Sequence, residues 1–112
     1  MTASRIVSDR ELESALDWLR DNAKAIGAAK QEAIMTERMV KHIKALEMKR
    51  NTALPVSAQE REAFASDAYK TASYHEAVAA GKFEEMRALR EAAALKIEAW
   101  RSEQANFRSM KI

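Results

Sequence analysis

A chain of 112 residues without cysteine, with one proline and two glycines, has room for one domain that folds without disulfides, and it offers no thiolate ligand or cysteine nucleophile. Nineteen Lys and Arg against 17 Asp and Glu leave a formal charge of +2, far from the basic excess that puts nucleic acid first among partners. No stretch approaches the ~18 apolar residues of a membrane span, and Met1–Ser8 carries no apolar core of signal-peptide length, so a cytoplasmic protein without membrane contact is expected.

Abundant Ala, Glu, Lys and Arg with few β-branched residues predict an all-α chain. The first helix should start after Ser8, because Ser8-Asp9-Arg10-Glu11 fits a capping box in which Ser8 accepts from the Glu11 amide and Glu11 reaches back. Leu12, Leu16, Leu19, Ala23 and Ile26 recur in steps of four and three, the pattern of a helix packed on another helix. Past Gly27 that stripe weakens to Lys30, Ala33 and Glu37, and a line through Met35, Met39, Ile43 and Leu46 is expected to take over, the buried face drifting around one helix. The helix is predicted over about 9–50, ~60 Å at 1.5 Å per residue.

Asn51-Thr52-Ala53-Leu54-Pro55-Val56 should stop it, since proline lacks the amide and drives Leu54 out of the α region. A linker is therefore predicted over 51–57. A second capping box, Ser57-Ala58-Gln59-Glu60, should open a short helical turn over 58–65, and Ser66-Asp67 should re-cap the chain and kink it. Beyond this, Tyr69, Ala72, Glu76, Ala79, Phe83, Met86, Arg90, Ala93, Ile97, Trp100, Gln104 and Phe107 alternate steps of three and four, which predicts one helix over about 67–108 running through Gly81. Two long helices with a short link imply an antiparallel, coiled-coil-like hairpin in a single domain, 1–112. Lys30, Glu37, Glu76, Arg90 and Gln104 suit burial poorly, so completion by dimerisation, for example as four helices, is expected.

Chemistry-bearing constellations are few. His42 and His75 belong to no helical metal-ligand pair, and Glu11, Glu13, Asp17 and Asp21 read as partners of the positive helix end. With neither a Gly-x-Ser-x-Gly elbow nor a glycine-rich phosphate loop, the chain is expected to be no enzyme, with no catalytic residue, metal or cofactor. Arg38, Lys41, Lys44, Lys49 and Arg50 gather near the end of the first helix and could meet phosphates, or could compensate the helix dipole with Glu37 and Glu47 interspersed. The terminal run from Ile97 to Arg108 combines Trp and Arg, the residues enriched in binding hot spots. Trp100, Arg101, Gln104, Phe107 and Arg108 are thus candidate partner-binding residues. Trp18 joins them because an antiparallel hairpin should carry it toward Trp100 and Phe107.

The blocks Gln59-Glu60-Arg61-Glu62-Ala63-Phe64-Ala65 with Tyr69, Ile97-Glu98-Ala99-Trp100-Arg101-Ser102-Glu103-Gln104-Ala105-Asn106, and Asp17-Trp18-Leu19 resemble, over most of the chain, small helical proteins of unassigned function encoded by tailed bacteriophages and prophages. Ser66-Asp67 stands where that group has His-Pro or Asp-Pro. The resemblance implies an accessory role near phage replication and recombination, in a bacterial cytoplasm, and carries no catalytic residue. The expectation is a homo-oligomeric interaction protein that binds a host or phage protein of DNA metabolism or defence. The alternatives are a nucleic-acid binder using the basic cluster, with Arg101 and Arg108 in support, and a structural virion component.

Overall fold

The computed structural model describes residues 5–110; the first four residues of the Met1–Ser8 segment lie outside the described part. Three helices account for nearly all of these residues, with no strand among them: α1 (Asp9–Lys49), α2 (Val56–Ala65) and α3 (Asp67–Met110). The residues group into two compact units, one built from the chain up to Ile26 and from Glu85 onward, the other from Gly27 to Glu84. In the first, Asp9 meets Trp100 while Ser14, Ala15 and Trp18 share a groove with Leu89–Lys96, so α1 and α3 run antiparallel. In the second, Lys30 lies over Phe83 while Met39 and Ile43 border a groove with Asp67–His75, again antiparallel.

The capping box forms at Ser8. The Glu11 amide donates to Ser8 Oγ at 3.1 Å, and Glu11 Oε1 accepts from the Ser8 hydroxyl at 3.2 Å and, at 3.5 Å, from its amide, relieving donors that a helix start leaves orphaned. The second box does not form. α2 begins two residues earlier than the linker reading allows, at Val56, with Pro55 (φ −59°) as its cap and no capping side chain. Proline is already set in the helical φ range and has no amide to leave unsatisfied, so it enters at no cost. Gln59 instead donates to the Leu54 carbonyl at 2.8 Å, and Glu60 turns to Lys44 at 3.9 Å. Ser66 serves both of its neighbours. Extended itself, it ends α2 with its hydroxyl donating to the Ala63 carbonyl at 2.7 Å, and it starts α3 by accepting the Tyr69 amide at 3.2 Å.

The inward face of α3 is the line read from the sequence, half-buried or buried at every position from Tyr69 to Phe107 except Arg90, which is exposed. The α1 face differs from its reading. Leu12, Leu19 and Ile26 do turn inward, but the alternate positions are Ala15 and Asn22, while Leu16 (49% exposed) and Ala23 face out. No drift follows Gly27 either. The same three-four alternation continues through Ala29, Ala33, Thr36, Val40, Ile43 and Glu47, leaving Met35, Met39 and Leu46 nearly half exposed. The reason lies in side-chain size. α3 presents Ala72, Ala79 and Ala93 as buried groups, and alanine facing alanine lets two helix backbones approach to the short end of the ~8–10 Å range. Leu16 and Met39 lie on the flanks of that seam, 49% and 47% exposed.

Among the described residues, six of the nine buried apolar ones are alanines, the others being Val7, Ile26 and Met86, and no large side chain is fully buried. Polar groups on the seam find partners in their own helix: Asn22 Nδ2 donates to the Trp18 carbonyl at 2.9 Å and Thr36 Oγ1 to the Glu32 carbonyl at 2.8 Å. Gly27 and Gly81 lie in regular helix with open space where a Cβ would sit. Each Gly→Ala replacement should therefore raise stability by about 0.5–1 kcal/mol, a melting-temperature rise of several degrees. A fall on calorimetry would instead mean that another chain approaches the backbone there.

Candidate interaction surfaces

The first surface is the end of α3 in the first unit. Because Ser8 caps α1, the preceding residues leave the helix and cross toward α3, where Glu103 Oε1 accepts the consecutive amides of Ile6 and Val7 at 2.8 and 3.1 Å. Val7 is only 4% exposed, whereas Ile6 points to solvent at 80%. The Arg5 guanidinium sits 5.7 Å from the centre of the Phe107 ring and pairs with Asp9 Oδ1 at 2.9 Å. Asp9 also accepts from Trp100 Nε1 at 2.9 Å. One carboxylate on two amides, one aromatic under a guanidinium and one apolar side chain inserted thus hold a short bent segment, worth a few kcal/mol in total.

Of the residues read as partner-binding, Trp100 and Phe107 belong to this end and are half-buried, with Gln104, also half-buried, between them on the same face. Arg101 is exposed and pairs with Glu98 at 3.6 Å, and Arg108 is exposed in the last turn. Trp18 is elsewhere. It borders a groove with Ser14, Ala15, Leu89, Ala92, Ala93 and Lys96, about two helical turns along α3 from Trp100. The antiparallel expectation misjudged it because α3 extends beyond the start of α1: Asp9, not Trp18, is level with Trp100. Residues 5–7 and Glu103 were missed by the sequence reading. The signal was Val7 just before the cap with Leu12 four positions into the helix, the arrangement of a hydrophobic staple.

The second surface lies on one flank of the Gly27–Glu84 unit. Met39 and Ile43 of α1 face Ala68, Thr71, Ala72 and His75 of α3 across a shallow groove, which His75 shares with a second depression bordered by Glu32, Tyr74, Val78, Ala79 and Lys82. Met35 lies one turn before Met39. Val78 is 55% and Met39 47% exposed, so large apolar groups from both helices meet water on one side. The opposite flank differs: a groove of about 560 Å³ there is lined by Lys30, Ala33, Ile34, Glu37, Lys41, Glu76, Ala80 and Phe83, mixing charges of both signs.

The basic cluster is not a single patch. Lys44 lies 4.6 Å from the centre of the Phe64 ring, which in turn packs edge-on against Tyr69, and it pairs with Glu60. Lys41 pairs with Glu37 at 4.0 Å and Arg50 with Glu47 at 3.6 Å. Arg38 and Lys49 are exposed and, about three turns apart, share the outward side of α1, away from Lys44. Further back, the Arg20 guanidinium is held above its ordinary value by the hydrogen bond and charge of Asp21 and by the charge of Asp17. His42 and His75 are both exposed, His75 beside the Tyr74 ring. Among the described residues no three His, Asp or Glu side chains converge as metal ligands, and no helix is long and apolar enough to cross a membrane. In comparisons with known proteins, no family model, no curated protein and no solved structure matched the chain.

Proposed function

We propose that this chain is a non-enzymatic helical interaction protein that self-associates and engages a further protein. The observation that carries the reading is the mismatch between core and surface. Buried groups are mostly alanines, while Met35, Met39, Tyr74 and Val78 of one unit stay 47–67% exposed. An alanine seam removes little apolar area from water, and contiguous exposed apolar groups are what soluble proteins normally cover with a partner. Pairing two copies through the Met39–Val78 flank, as a four-helix assembly, would cover them. A role as accessory or modulator of phage or host DNA metabolism or defence, in a bacterial cytoplasm, rests on the sequence resemblance to phage-encoded helical proteins. A virion component would instead form rings or larger assemblies.

Light scattering coupled to size exclusion, at low and high salt and with or without short single-stranded DNA, tests this. The expected result is a dimer indifferent to DNA and no weaker at high salt, because apolar burial is not screened. A monomer under all conditions would overturn self-association. Were Arg38, Lys41, Lys44, Lys49 and Arg50 to carry a DNA complex, its affinity would fall with salt at a log-log slope of ~0.7 per neutralised single-strand phosphate. Pairing of three of these five with carboxylates favours the protein-binding reading.

A further inference from the structure

The end of α3 holds a segment of the chain in the manner of a receptor holding a peptide. Arg5-Ile6-Val7 is bent at Ile6 and Val7, so that two consecutive amides converge on one carboxylate oxygen, Glu103 Oε1, at 2.8 and 3.1 Å. Its basic residue lies over Phe107, and its second apolar residue is buried while the first is not. The converging backbone amides supply affinity, and the seated side chains of Arg5 and Val7 supply selectivity, the division of labour in peptide recognition. No helix or sheet ladder ties these three residues down; they precede the cap of α1, so they can leave without unwinding either long helix.

We propose that the Trp100–Glu103–Phe107 end of α3 is a docking site for a short bent segment of a partner protein, of the form basic, apolar, buried β-branched, with two consecutive amides turned to Glu103, and that Arg5–Val7 is its built-in occupant, displaced when the partner binds. The observation behind the choice of occupant is the chain's own segment, which shows the chemistry the site accepts: a guanidinium over an aromatic ring, free consecutive amides and a small branched side chain. This deepens the reading of the chain as an interaction protein and rests on it. The site belongs to the first unit, and the flank assigned to self-association belongs to the second, so the two are separable by experiment.

The test uses the full chain with its own segment disabled. Val7→Asp removes the buried anchor, and Ile6→Pro removes one donated amide at a residue whose side chain is in solvent, so the second variant remains informative should the first disturb folding. A fluorescent, end-blocked peptide of residues 3–9 serves as probe, read by anisotropy. Both variants should bind it saturably and at least about tenfold more tightly than the unaltered chain, whose site is open only a small fraction of the time. Adding Glu103→Ala to either variant, or placing Val7→Asp in the peptide, should abolish binding. Equal binding by unaltered and variant chains, or binding indifferent to Glu103, would overturn the proposal. So would a dimer of the unaltered chain that Val7→Asp dissolves, which would assign the site to exchange of segments between two copies. Light scattering on the same samples separates the readings: a dimer that does not bind peptide sinks this proposal alone, and a peptide-binding monomer sinks self-association alone.

Discussion

Ile26→Ala is expected to be among the most damaging single truncations in the chain, lowering the unfolding free energy by about 2–5 kcal/mol. Ile26 is 7% exposed and, with Met86, one of two large side chains buried along the seams. Its truncation removes buried apolar area and leaves a cavity where the side chain was. Against a total of roughly 5–15 kcal/mol for a chain of this size, that is a large share. Leu16→Ala should cost only about 1 kcal/mol, since half of that side chain already meets water. Urea denaturation of the two variants decides between the two faces of α1. If Leu16 proved the costlier, the helix would be turned toward the Leu12, Leu16, Ala23 stripe and the alanine seam would be wrong.

The other large effect concerns assembly. Met39→Glu combined with Val78→Glu should convert a dimer formed through that flank into a monomer, because each carboxylate would be buried without a partner at a cost of several kcal/mol, and every ~1.4 kcal/mol is tenfold in Kd. Helix content should not change, since both side chains are about half exposed within one chain. Lys24→Glu, on an exposed position of α1 outside that unit, serves as control. Sedimentation velocity over a concentration series reads the outcome, and a double variant that still dimerises with unaltered affinity would remove the flank from the interface.

Much of the local structure was legible because it depends on local physics. Ser8 and Glu11 cap α1 through bonds three residues apart, Pro55 ends the connection through its ring, and Ser66 breaks the helical run by competing for the Ala63 carbonyl. The α3 face could be read at almost every position, since six of its large residues, Tyr69, Phe83, Met86, Ile97, Trp100 and Phe107, lie on one line of alternating three- and four-residue steps. The α1 face was misread for the opposite reason. There Leu16, Met35, Met39 and Leu46 compete with inward positions held by Ala15, Asn22, Ala29, Ala33 and Thr36, and hydrophobicity favours the wrong ones.

Among the candidate sites, the aromatic end was legible as a cluster of Trp100, Gln104 and Phe107 but not as an occupied one. The contact of Glu103 with Ile6 and Val7 joins residues more than ninety positions apart, which no periodicity reveals. The basic cluster shows the same limit: five cations close in sequence are distributed by helical geometry to different sides of α1, or to the turn after it, and three are paired to carboxylates.

By itself, then, the sequence determined that this chain is helical, that α1 is capped at Ser8, that the helical run breaks before Pro55 and at Ser66, and which face of α3 turns inward, because these follow from hydrogen bonds within a few residues and from the period of the helix. Tertiary structure decided what could be known only from the partner surface: that Ala15 and Ala29 are buried on the α1 seam while Leu16, Met35 and Met39 are not, that Met39 and Val78 are left to face solvent, and that residues 5–7 lie on the end of α3. Burial is a property of two surfaces in contact. Which side chains of α1 are covered therefore depends on the α3 surface they meet, which no property of α1 alone contains.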